Sequence, residues 1–150
     1  MVSAQNHLYL AGPSVKKYWG SARAENVTPM RTFLDQGLTV AGGTDSPVIP
    51  HNPFWAMYHF ISRETISDGV YGANQRISRE EALRMFTINN AKLTFEENLK
   101  GSIEPGKLAD LVILSGDFLT VPEKQIENLK ALGTMVGGRF VYSDPALALN

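Results

Sequence analysis

Positive and negative side chains nearly cancel along this 150-residue chain, 14 Lys and Arg against 15 Asp and Glu, with no run of one sign. That balance gives no electrostatic support to a nucleic-acid groove or an anionic membrane surface, and it favours a small molecule or another protein chain as partner. Cysteine is absent, which excludes disulfides, thiolate zinc sites, iron–sulfur clusters and cysteine nucleophiles.

A hydrophobic content of 43% can build one core, in one domain or two small ones. The opening residues Met1 to His7 lack a basic start followed by an apolar run, and no apolar stretch approaches the roughly 20 residues that span a bilayer. A cytoplasmic protein is expected.

In chain order, Val2 to Leu10 reads as extended, and Gly12-Pro13-Ser14 as its break. Residues 14 to 27 read as a loop with a helical turn. Thr28-Pro29 then opens a helix, Thr28 as cap and Pro29 as first helical residue, with Met30, Phe33 and Leu34 on its apolar face and Gly37 at its end. Leu38 to Ala41 is a strand running into Gly42-Gly43-Thr44-Asp45-Ser46-Pro47. Asn52-Pro53 starts the next helix, whose Phe54, Met57, Tyr58 and Ile61 recur at helical spacing. Ser78-Arg79-Glu80-Glu81 is a capping box ahead of Ala82, Leu83 and Phe86, and Asn89 to Phe95 is a further short helix.

Strands dominate afterwards. Leu108 to Leu114 ends in a continuous apolar run, as expected of a strand covered on both faces. Ala131 to Val136 and Phe140 to Tyr142 flank Gly137-Gly138, a hairpin signal. Alternating helices and strands give parallel βα units, and the later strands give a separate antiparallel sheet. The fold class is therefore α/β, with a domain over residues 1–98, a β-rich segment over 99–150, and the boundary near Asn98 to Ser102.

Chemistry concentrates where the strand before Asp45 ends. Parallel α/β architectures project reactive side chains from the C-terminal ends of strands. Gly42 and Gly43 let the backbone turn closely under a bound group, and Pro47 biases Ser46 toward an extended conformation. An aspartate here also caps turns in ordinary loops, so the pattern alone leaves a structural and a reactive Asp45 both open. Other site types lack their motifs. There is no Gly-x-Ser-x-Gly elbow and no Walker loop, and Gly42-Gly43 has no third glycine for a dinucleotide fingerprint.

The string Gly101-Ser102-Ile103-Glu104-Pro105-Gly106-Lys107-Leu108-Ala109-Asp110-Leu111-Val112-Ile113-Leu114 reads locally as an extended piece, a type II turn at Pro105-Gly106 and a strand. As a string it resembles a signature of the amidohydrolase superfamily of metal-dependent hydrolases. The strand ending in Gly-Thr-Asp, the helix at Asn-Pro and Arg63 precede it in the order of the broad-substrate, formamide- and amide-cleaving subgroup. The resemblance runs from about residue 2 to residue 142. It implies the last βα units of a catalytic (β/α)8 barrel followed by part of a small antiparallel β-domain.

The resemblance further implies that Asp45, after the eighth barrel strand, contacts a divalent metal, zinc by family habit. It would take a proton from the metal-bound water and pass it to the leaving nitrogen. Thr44, Ser46 and Arg63 are the implied substrate contacts, although a solvated helix-end arginine is the plainer reading of Arg63. The substrate class is a small amide or cyclic amide.

The chain departs from that pattern in its histidines. The superfamily uses a His-x-His pair, a bridging carboxylate or modified lysine and two more histidines, whereas this chain has only His7, His51 and His59. His7 is a possible ligand that the motif does not require, His51 reads as a loop residue and His59 as a surface or interface residue. Asp110 is expected to organise a turn, and Trp19 and Trp55 to serve core or interface. Two readings follow. One is an enzyme fragment completed by an N-terminal chain or a homo-oligomer, and the other is an inactive binding or oligomerisation module derived from the same fold.

Overall fold

Residues 1–147 are described in the structure, a computed structural model. Strands β1 (Val2–Gln5) and β2 (Val40–Gly43) lie side by side and parallel, in a register running from Val2 against Val40 to Gln5 against Gly43. A parallel pair needs a crossover, supplied by α1 (Leu8–Trp19), α2 (Ser21–Ala24) and α3 (Met30–Asp35). Strand alternation sends Ala4 into the core and leaves Ser3 and Gln5 on the opposite, more open face.

Helix α1 corrects the expected break at Gly12-Pro13-Ser14 and the expected loop that follows it. Pro13 has no N–H to give to the Tyr9 carbonyl, and the Ile66 amide takes that carbonyl instead, at 2.9 Å. A helix breaker is tolerated because another segment satisfies the group it orphans. Extended structure accordingly ends at Gln5, not at Leu10.

Thr28 does not cap α3. It is left-handed (φ 49°), and its carbonyl accepts from the amide of Met30, so the helix starts one residue later, with Pro29 in the cap position. Gly37 ends the segment at φ 71°, as the sequence leads one to expect, and β2 lies two residues beyond the expected strand start.

Helix α4 (Pro53–Ser62) begins as expected, with Asn52 Oδ1 accepting from the amides of Phe54 and Trp55. It buries more than the expected stripe. Ala56, His59, Phe60 and Ser62 are buried as well, because α4 packs against both α5 (Arg79–Phe86) and a 3-10 turn over Glu123–Asn128. The capping box of α5 is present, Ser78 Oγ accepting from the Glu81 amide at 3.1 Å and Glu81 Oε2 from the Ser78 amide at 2.7 Å.

Helix α6 (Ile88–Leu93) follows and closes part of the sheet edge. The side-chain amides of Asn89 and Asn90 donate to the carbonyls of Val40 (2.8 Å) and Gly42 (3.1 Å). Those carbonyls point away from β1, because alternate groups along a strand face opposite edges.

The string from Gly101 to Leu114 is only partly as expected. Its turn is there, with the Lys107 amide on the Glu104 carbonyl at 3.2 Å and Gly106 at φ 90°. No strand precedes it. Strand β3 (Leu111–Leu114) pairs instead with β4 (Ala131–Val136), and β4 with β5 (Arg139–Ser143), all antiparallel in the order β3-β4-β5. Val112 and Ile113, on opposite faces, are both exposed, whereas Leu114 packs against the apolar core, so the strand is covered in part and not along both faces. Gly137 and Gly138, both at positive φ, make the expected hairpin, and Asp110 Oδ1 accepts from the Gly137 amide at 2.8 Å.

One apolar cluster joins Ala4, Val40, Met57, Phe60 and Met85 to Phe118, Ile126 and Leu129. The fold is thus mixed α/β with a small antiparallel sheet. Among the described residues no helix is long and apolar enough to cross a membrane.

Candidate functional site

The register of β1 and β2 decides what meets what beyond their ends. Gln5 lies opposite Gly43. Two residues beyond each of these, past the ends of the strands, stand His7 and Asp45. The structure brings them together, His7 Nε2 lying 2.9 Å from Asp45 Oδ2, each side chain about half exposed (47%). Residues 38 apart in sequence thus form one polar pair at the C-terminal mouth of a parallel sheet.

Both partners are held by their neighbours. His7 sits between Asn6 and Leu8, which are 2% and 0% exposed, and its amide donates to the Gln5 carbonyl at 3.0 Å. Asp45 has a left-handed backbone (φ 54°), and its carbonyl accepts from the Val48 amide at 2.9 Å, while buried Ile49 anchors the loop. Thr44 Oγ1 accepts from the Ser46 amide at 3.4 Å, so both flanking hydroxyl residues belong to the turn that carries Asp45. The Gln5 side chain passes over Gly43, where an added Cβ would meet its Nε2 in ordinary contact at 3.7 Å.

Arg63 takes a different place from either expectation. It is 1% exposed, so a solvated helix-end arginine is corrected, and its guanidinium donates to main-chain carbonyls throughout. These are Tyr71 and Val27 (each 2.8 Å), Thr28 (2.8 Å) and Glu25 (3.3 Å). Burial pulls its pKa down to about 10, against the favourable charge of Glu25. Helix α4 ends at this residue in a left-handed cap (φ 59°). The side chain is a strut between the α2–α3 connection and the segment after α4, with its donors already engaged.

His59 is likewise corrected from surface to interior. It is 4% exposed and packed among Trp55, Tyr9 and Tyr58, with ring centroids 4.2, 4.6 and 4.9 Å away. Desolvation lowers its pKa to about 4, so it is neutral near pH 7. His51 is exposed in the loop before α4, as expected, and Trp19 is exposed.

Among the described residues, no three His, Asp or Glu side chains gather in one place. A catalytic metal centre takes about three protein ligands with one position open. His7 and Asp45 are at most two donors, so the described residues do not by themselves fit a complete centre. The pair could be found in sequence only by assuming the strand register, because His7 carries no motif of its own.

Comparison with known proteins gives this geometry a context. The amidohydrolase family model matches residues 3–142. An N-substituted formamide deformylase from Arthrobacter pascens is 32% identical over 142 residues, covering 89% of this chain and 26% of the relative. A 5-methylthioadenosine/S-adenosylhomocysteine deaminase from Thermoanaerobacter pseudethanolicus is 37% identical over 95 residues, covering 63% of this chain and 22% of the relative. The chain thus spans about a quarter of the length of the curated relatives it matches.

Among solved structures, an uncharacterized metal-dependent hydrolase from Pyrococcus furiosus superposes with a TM-score of 0.63 at 29% identity, covering 79% of this chain and 24% of that one. An amidohydrolase from Thermotoga maritima shares the fold at 22% identity and a TM-score of 0.59, covering 95% and 37%. A strand-end aspartate, the Glu-Pro-Gly-Lys turn and a match over nearly the whole sequence agree: this chain belongs to the amidohydrolase family.

Proposed function

We propose that this chain carries the proton-handling carboxylate of a hydrolase that cleaves C–N bonds in small amides, formamides or cyclic amides, and that this carboxylate is Asp45. The observation that supports it is the placement of Asp45 just past the C-terminal end of β2, in a left-handed backbone, facing His7. A left-handed backbone is uncommon outside glycine, and aspartate is among the residues that adopt it, so it aims the Asp45 side chain without large strain. A half-exposed polar pair of this kind stabilises by at most about 1 kcal/mol, so stability is a poor reason for the arrangement.

In this reading the Asp45 carboxylate accepts a proton as the oxygen of water adds to the carbonyl carbon. The same proton then goes to the nitrogen as the C–N bond breaks, leaving a carboxylic acid and an amine. Thr44 and Ser46, in the same turn, contact the substrate. A divalent ion, zinc in our assignment, would make the water acidic enough to yield hydroxide near neutral pH. Asp45 would be one of its ligands, the others lying outside the described residues.

On this basis β1 with its crossover and β2 with α4 are consecutive βα units of a (β/α)8 barrel over residues 1–98, and residues 99–150 are part of a β-domain. Completion by a second copy or by a complementing chain, in the cytoplasm, belongs to the same proposal. Elemental analysis of the purified chain beside Asp45→Asn tests it, together with release of formate from an N-formyl amine. Bound divalent metal and formate release that are both lost in the variant support it. Metal retained in full by Asp45→Asn sinks the assignment of Asp45 as ligand.

A further inference from the structure

We infer that His7 is the positioning residue of Asp45: its imidazole Nε2–H holds Asp45 Oδ2, so that the other carboxylate oxygen is the one presented at the mouth of the sheet. The inference rests on the reading of Asp45 as the reactive carboxylate, and it assigns a role to a residue that the family resemblance does not require.

Three observations carry it. The first is the contact itself, 2.9 Å between His7 Nε2 and Asp45 Oδ2, within the range of a charge-assisted hydrogen bond. The second is that neither partner is free to wander. His7 lies between two fully buried neighbours at the start of α1, and the Tyr9 carbonyl ties the first turn of that helix to the Ile66 amide. Asp45 is fixed by its left-handed backbone and by the turn to Val48.

The third is the parallel register, which sets Gln5 against Gly43 and so starts the two segments that carry His7 and Asp45 from neighbouring strand ends. Orientation is what such a pair adds. A carboxylate on a free χ2 torsion samples both oxygens equally, whereas one with Oδ2 engaged offers a single lone-pair direction to water or metal. Hydrogen-bonding partners of liganding carboxylates act in this way, and their loss typically weakens metal affinity roughly 10–100-fold.

The experiment has two arms, both on the 150-residue chain. Long-range nitrogen–proton NMR of the metal-free protein reads which ring nitrogen of His7 carries hydrogen. We expect Nε2, with a resonance that moves in Asp45→Ala. A proton on Nδ1 alone, or an imidazole indifferent to Asp45→Ala, overturns the inference.

In the second arm Mn2+ is the probe, and paramagnetic broadening of the Ser46 amide reports its arrival. His7→Ala should need roughly 10–100-fold more Mn2+. His7→Gln, which can place an Nε2–H where the imidazole placed its own, should return close to the parent, with the thermal midpoints of all three alike. Equal broadening in His7→Ala and the parent overturns the inference. So does a His7→Gln no better than His7→Ala, since His7 would then be a ligand itself. Absence of broadening in the parent counts against Asp45 as a cation-facing group, and the imidazole spectrum still decides for or against His7.

Discussion

His59 and Trp55 lie one turn apart on α4 with their rings stacked at a tilt, centroids 4.2 Å apart, and Tyr9 of α1 closes the group from the other side. The histidine is therefore a packing element that binds α1 to α4, the two helices that flank the candidate site. Its Nδ1 lies 3.3 Å from the Glu64 carbonyl, and Glu64 also accepts from the Tyr58 hydroxyl at 2.7 Å. No negative group compensates the ring for lost water strongly enough to keep it charged.

A pH dependence of stability follows. The unfolded chain takes up a proton on His59 near pH 6.5, whereas the folded chain resists until about pH 4. The unfolded state binds more protons between those values, so stability is complete above pH 6.5 and falls as the pH drops toward 4. The loss is at most roughly 3–4 kcal/mol, taking about 1.4 kcal/mol per unit. Urea midpoints measured from pH 7 to pH 4 should show the fall, and His59→Phe should flatten most of it. An unchanged slope in that variant would mean that other groups carry the acid sensitivity.

Gly42 should not tolerate a side chain. A Cβ there would stand 2.5 Å from Phe86 Cε2, where helix α5 meets strand β2. Gly42→Ala is expected to cost about 1–3 kcal/mol by overpacking. Combining it with Phe86→Leu should recover part of that loss in chemical denaturation. A neutral Gly42→Ala would mean that the α5 contact yields freely.

Arg63→Met should be among the most damaging single changes. It strips the donors from the carbonyls of Glu25, Val27, Thr28 and Tyr71 in a closed part of the structure. Each bond to a charged donor is worth about 1.5–3 kcal/mol, so a loss of about 3 kcal/mol or more is expected. Arg63→Lys should rescue little, because an ammonium cannot span the same fork of acceptors. Thermal unfolding of the two variants checks the ranking.

Asp45→Asn should separate function from stability. Asparagine accepts a left-handed backbone as readily as aspartate, and the site is exposed, so stability should stay within about 0.5 kcal/mol. Metal content and amide hydrolysis are expected to fall together if the proposed function holds. A large drop in thermal midpoint would instead mark Asp45 as a structural turn residue.

Much of the local structure was legible in the sequence because its signals act within a few residues. Asn52 capping α4, the Ser78 box, the Gly106 turn and the Gly137-Gly138 hairpin each depend on backbone and side-chain groups less than a turn apart. The strand-end position of Asp45 and the family string were legible for the same reason. Where the sequence misled, a distant segment had intervened. Pro13 stops no helix here because Ile66 supplies the missing donor, and Arg63 and His59 read as solvent-facing until neighbouring elements bury them.

The sequence by itself determined the tight turns, the caps of α4 and α5, the family and the candidacy of Asp45. Only the tertiary structure decided that His7 faces Asp45. That contact depends on two strands separated by three helices settling into one parallel register, because His7 and Asp45 follow strand ends that only this pairing sets side by side.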